Sequence, residues 1–143
     1  MKIIETKRGH SMGLNINGHH TLIEVLGITI EEISEGHVTA TMPVDERTRQ
    51  PFGILHGGAS VALAETVASV GAYYLVDRET EACAGLEINA NHVRSKKEGV
   101  VKAIGQILHR GKKTMVWDIK IVDEDEQLIC VSRCTIAVLP LKN

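Results

Sequence analysis

The chain has 143 residues, 43% of them hydrophobic and 24% charged, with a formal net charge of -2 at pH 7. That length suits one domain, residues 1–143, with a real core and leaves little room for two. The charge excludes a general nucleic-acid binder, which needs surplus Lys and Arg to displace counterions, and three cysteines without a CxxC pair point to a reduced, cytoplasmic setting.

The first twenty residues are polar and glycine-containing, carry no apolar run of signal-peptide length, and give no structural signal. TLIEVLG, residues 21–27, predicts a short helix ended by Gly27. ITIEEIS and HVTATMPV alternate apolar and polar residues on either side of Glu35-Gly36, and so read as a hairpin. DERTRQPFG is loop, with Pro51 as its breaker. From Gly57 to about Tyr74 the residues are helix-compatible, with apolar or small side chains around most of the circumference. Such a helix must be wrapped on most sides. It does not suit a membrane span, because Glu65 would sit near the bilayer centre. Four strands follow. CAGLEINANHVR puts Leu86, Ile88 and Ala90 on one face, VVKAIGQIL comes next, and TMVWDIKIV puts Met115, Trp117, Ile119 and Ile121 on one face. QLICVSRCTIAVL is long enough to run the length of a sheet, and HRGKK and DEDE are the turns between the last three strands.

Two strands, a long buried helix and four strands predict an α+β fold, with an antiparallel sheet curled around the helix. Within that helix Glu65 is the anomaly. A lone ionised carboxylate in an apolar interior costs several kcal/mol, a large share of the roughly 5–15 kcal/mol that stabilises a typical domain. It is either a structural acid with a partner or part of a cleft. Three features favour the cleft. Ser69 lies one helical turn on, on the same face. His56-Gly57-Gly58 opens the helix, where unpaired N–H groups can hold a developing negative charge. Gln50 and His56 stand on the loop leading in. No metal is expected, since no HxxxH or CxxC spacing occurs, and HGGAS lacks the GxSxG elbow of serine hydrolases.

RQPFGILHGGASVALAETVASVGAYYLV followed by GLEINANHVRS strongly resembles the hotdog-fold acyl-CoA thioesterases, over roughly residues 39–139. The nearest branch is that of the aryl-CoA hydrolases: 4-hydroxybenzoyl-CoA thioesterases of the Arthrobacter type, the proofreading thioesterases of enterobactin synthesis, and the 1,4-dihydroxy-2-naphthoyl-CoA hydrolases. The resemblance implies a hotdog fold and hydrolysis of a CoA thioester, with an aryl or hydroxyaryl acyl group, to free acid and coenzyme A. It puts the catalytic carboxylate, as nucleophile or general base, on Glu65 and the carbonyl-polarising amide on Gly57. The substrate-orienting histidine falls on His56, the glutamine that contacts the carbonyl or water on Gln50, and a hydroxyl on Ser69. It lays the coenzyme along His92, Val93, Arg94 and Ser95, and along His109, Arg110, Gly111, Lys112, Lys113 and Thr114. The cations of these segments suit phosphates, although a charged hairpin turn is also an ordinary solvated surface.

The resemblance further implies no cofactor beyond the coenzyme A of the substrate, a homodimer at least, and a homotetramer as the expected assembly. The strand 83–94, long and free of Pro and Lys, is a candidate edge for self-pairing. Two other functions remain open: a 3-hydroxyacyl thioester dehydratase or hydratase, which an enoyl-CoA hydration assay would reveal, and a non-catalytic acyl-CoA-binding sensor.

Overall fold

The computed structural model describes residues 2–3 and 19–142. Most of the N-terminal segment read as polar and without signal therefore lies outside the described residues. The elements, in chain order, are β1 (Lys2–Ile3), α1 (Leu22–Val25), β2 (Thr29–Ser34), β3 (His37–Val44), α2 (Gly57–Leu75), β4 (Glu81–His92), β5 (Gly99–Arg110), β6 (Thr114–Val122) and β7 (Leu128–Pro140).

The predicted hairpin is β2–β3. Its turn closes on Gly36 at φ +78°, where a Cβ would also meet Ile107 Cγ2 at 2.6 Å. Only glycine suits both conditions. The strands order as β1-β2-β3-β5-β6-β7-β4. All neighbours are antiparallel except β1 and β2, which run parallel. The meander β5-β6-β7 thus stands between β3 and β4. α2 carries the chain across the sheet, so β4 forms the far edge, pairing with β7 from Glu81–Pro140 to His92–Cys130.

One face of α2 packs Leu63, Ala64, Val67, Ala68 and Ala72 into the sheet, with Trp117, Ile119, Ile121 and Ile136 fully buried opposite. The predicted inward set Met115, Trp117, Ile119 and Ile121 is buried throughout. Trp117 lies so close to α2 that a Cβ on Gly71 would sit 2.3 Å from its Cη2. Such packing density leaves no room for a methyl group.

One strand face differs from expectation. The β4–β7 register shifts between Gly85 and Glu87, and Leu86 is 62% exposed while Ile88 and Ala90 pack against the core. An extra residue in one strand reverses the side-chain alternation beyond it. Leu86 therefore does not share a face with Ile88 and Ala90. No helix among the described residues is long and apolar enough to cross a membrane.

Candidate active site

The wrapping of α2 is incomplete. Gly58, Val61, Ala62, Glu65, Thr66, Ser69, Val70 and Tyr73 recur every three or four residues, and so share one stripe. That stripe lines a groove of about 590 Å³, whose other wall is Cys83, Ala84 and Gly85 of β4, with Leu22 and Ile23 of α1 at its rim.

Glu65 is half-buried in this groove. Its carboxylate rests against the β4 backbone: a Cβ on Gly85 would lie 2.7 Å from Oε1. Gly85 is thus where the strand yields space to the acid, at the edge of the bulge. Among the described residues none donates a hydrogen bond to this carboxylate. Its charge is felt in the core, where the buried Cys134 thiol is pushed up to about 11, by burial first and then by Glu65 and Glu87.

The start of α2 is built by its loop. The His56 N–H donates to the Thr48 carbonyl at 2.8 Å, and the Leu55 N–H to the Lys96 carbonyl at 2.7 Å. The Gly58 N–H donates to His56 Nδ1 at 2.7 Å, an N-cap made by an imidazole. An accepting Nδ1 puts the His56 proton on Nε2, leaving that atom as a donor. The Gly57 N–H has no acceptor among the described residues. Of the two glycine amides it is the open one. The His92 imidazole packs against Gly57 on its Cβ side, with Nε2 2.8 Å from where a Cβ would stand. Gln50 occupies a tight turn closed by Gln50 N–H to Ile54 carbonyl at 2.8 Å and Gly53 N–H to Gln50 carbonyl at 2.9 Å. Its side-chain oxygen accepts from the Phe52 N–H, which leaves the amide NH₂ unengaged among the described residues.

The structure therefore groups the predicted residues rather than gathering them at one point. Gln50, His56, Gly57 and His92 stand at the start of α2, while Glu65 and Ser69 stand midway. Gly57 and Glu65 are eight residues apart, roughly 12 Å along the axis. Val93, Arg94 and Ser95 are exposed, and the Val93 and Arg94 N–H groups both donate to the Ile129 carbonyl. The β5–β6 turn lies at the other end of the helix. Arg110 donates to the Leu75 carbonyl at 2.7 Å and reaches Glu35 at 3.3 Å, so it caps α2. The Gly111 N–H closes the turn onto the Thr114 carbonyl at 2.8 Å, Thr114 is half-buried, and His109, Lys112 and Lys113 are exposed.

Gly85, Cys83, Val70 and Tyr73 were not singled out as site residues in the sequence. Helical spacing from Glu65 would have found Tyr73. Nothing local marks Gly85 beyond a glycine inside a strand.

Residues 52–130, more than half the chain, match the Thioesterase superfamily. The chain belongs to that superfamily. It is a thioesterase with the hotdog fold, a hydrolase of the acyl-CoA thioester type. It is 62% identical over 120 residues to the putative esterase ComA2 of Bacillus subtilis, covering 84% of this chain and 95% of that one. It is 50% identical over 126 residues to the 1,4-dihydroxy-2-naphthoyl-CoA hydrolase of Escherichia coli, covering 88% and 92%. Among solved structures, a mutant of thioesterase PA1618 from Pseudomonas aeruginosa superposes with a TM-score of 0.83 at 46% identity, covering 85% of this thioesterase and 88% of that chain.

Proposed function

We propose that the protein hydrolyses the CoA thioester of an aryl or hydroxyaryl acid, such as 1,4-dihydroxy-2-naphthoyl-CoA, to the free acid and coenzyme A. The observation that carries this reading is a carboxylate without a hydrogen-bond donor among the described residues, set in the wall of an apolar groove beside β4. The relatives named 1,4-dihydroxy-2-naphthoyl-CoA hydrolase, 50% and 51% identical, support the acyl class.

In this reading the Gly57 N–H receives the thioester oxygen as it gains charge, and the helix dipole adds to the attraction. His56 Nε2 and the Gln50 amide orient the carbonyl or the water, and Ser69 offers a hydroxyl one turn beyond the acid. Glu65 acts by one of two balanced routes. As nucleophile, its oxygen bonds to the acyl carbon, the C–S bond breaks, the thiolate leaves and takes a proton, and water then opens the anhydride. As general base, it takes a proton from the water whose oxygen bonds to the same carbon; the C–S bond then breaks, and the departing thiolate takes up that proton and restores the carboxylate.

Roughly 12 Å of helix between Gly57 and Glu65 is too far for one chain to serve both sides of a single carbonyl. A second copy supplies the missing half. The edge strand β4 is itself a wall of the groove, so self-pairing along β4 would bring a partner to the site. We therefore read the protein as a homodimer at least, with a homotetramer the expected assembly. The coenzyme's phosphates are assigned to residues 92–95 and, from the partner, to residues 109–114. A cytoplasmic location accords with the three free cysteines.

Thiol release from a panel of aryl- and alkyl-CoA thioesters tests the reading. Turnover fastest on hydroxyaryl thioesters is expected; no thiol release from any member of the panel overturns it.

A further inference from the structure

The groove stripe of α2 is small-featured over most of its length. Val61, Ala62, Thr66, Ser69 and Val70 leave space beside Glu65, and then the stripe reaches Tyr73, its one aromatic residue. Tyr73 is eight residues beyond Glu65, two turns or about 12 Å along the axis. Tyr73 lines the same groove as Glu65, Ser69 and Val70, so it borders the length an acyl group would occupy.

The ring is held from behind. α2 ends at Leu75, the extended backbone of its C-cap Val76 leads the chain away, and the Arg78 guanidinium lies 5.2 Å from the Tyr73 ring centroid. Arg78 is half-buried and makes no ion pair or hydrogen bond among the described residues, so the ring is its partner. A ring braced by a cation presents a flat surface to the groove, suited to stacking with a planar acyl ring and unsuited to the passage of a long flexible chain.

We infer that Tyr73, braced by Arg78, closes the acyl end of the groove and selects one- or two-ring aryl groups over long alkyl chains. Tyr73 contacts the acyl group, and Arg78 is a positioning residue that acts through Tyr73. The inference rests on the proposed CoA-thioester reaction and adds to it the residues that set acyl size.

The test compares wild type with Tyr73→Ala, Tyr73→Leu, Arg78→Gln and Arg78→Lys, each checked for folding by circular dichroism. Two readouts are taken. One is kcat/KM for benzoyl-CoA, 1,4-dihydroxy-2-naphthoyl-CoA and dodecanoyl-CoA. The other is calorimetric Kd for non-hydrolysable thioether analogues of benzoyl-CoA and dodecanoyl-CoA. Tyr73→Ala should shift the aryl-to-dodecanoyl ratio toward dodecanoyl by about tenfold. Tyr73→Leu should shift it the same way, and covers the case in which the alanine variant fails to fold. Arg78→Gln should move the ratio about threefold in the same direction, and Arg78→Lys should restore it by keeping the cation. Hydrolysis by wild type with ratios unchanged within twofold in the folded Tyr73 variants overturns the inference and leaves the reaction standing. Absence of hydrolysis, with analogue binding that follows the expected pattern, overturns the reaction and upholds the inference. A wild type that binds neither analogue overturns both.

Discussion

The two faces of α2 both need glycine against them, for opposite reasons. On the core face Gly71 stands under Trp117, where a methyl group would lie 2.3 Å from a ring locked in the sheet. On the groove face Gly85 stands over Glu65, where a methyl group would lie 2.7 Å from the free end of a flexible side chain. The first contact is packing, and its loss is paid in stability. The second positions a charge, and under the proposed reaction its loss falls on chemistry. A glycine's role thus follows from whether its neighbour can move.

The largest effect that can break this contrast is at the acid itself. Glu65→Gln keeps volume and removes charge, so turnover should fall by at least about 10²-fold, with thermal unfolding close to wild type. Turnover within threefold of wild type would remove Glu65 from the reaction, and an unfolded variant would make it a structural acid.

Gly85→Ala and Gly71→Ala sharpen the contrast as a crossed pair. Gly85→Ala should lower kcat roughly ten- to a hundredfold by displacing the carboxylate, and should leave the melting temperature nearly unchanged. Gly71→Ala should cost about 1–3 kcal/mol of stability through overpacking, with kcat per folded molecule retained. The same response of both variants in kcat and in melting temperature would erase the distinction between the faces.

A smaller effect separates the two ends of the helix. Arg110 is engaged as a cap, whereas Lys112 and Lys113 are exposed. Replacing both lysines with serine should raise KM a few-fold with kcat held, because phosphate contacts act equally on ground and transition states. An unchanged KM across a salt series would make the turn a solvated surface.

The smallest effect concerns residues 93–98, which join β4 to β5 beside the helix start. Lys96 Nζ meets Glu124 Oε2 at 2.6 Å, and the Val100 N–H donates to the same carboxylate. The Lys96 contact first, and then the Val100 N–H, lower Glu124 from 4.5 to about 2. A lowered carboxylate stabilises the fold above its ordinary value and loses that contribution as pH falls from about 4.5 toward 2. The protection factor of the Val100 amide, its exchange rate measured against the intrinsic rate at each pH, should therefore fall across that window, and should already be low at neutral pH in Glu124→Gln. A protection factor flat with pH would free the link from this contact.

Most elements were legible because they rest on local patterns. The period-two runs marked β2, β3 and β6 with bounds close to those observed, and the apolar run after His56 marked α2. Glu65 stood out because an acid in such a run needs a reason, and the HGG turn at the start of the same helix supplied an open amide. Within β4 the pattern misled. Leu86 looked inward by alternation, yet the bulge after Gly85 turned it out. A one-residue bulge changes the phase without changing the composition.

The amino-acid sequence alone determined which segments beyond residue 20 form strands and helices, though not β1, together with the acid at the helix centre and the glycine amide at its start. These follow from side-chain period and from the cost of a buried charge. The lack of Pro and Lys had already marked β4 as a candidate edge strand, which the sheet order bears out; only the tertiary structure decided that Gly85 yields to Glu65, that Arg110 caps α2, and that Arg78 braces Tyr73. Each of these depends on which distant segment arrives alongside, and strand pairing is chosen by the packing of the whole sheet around the helix rather than by any local pattern.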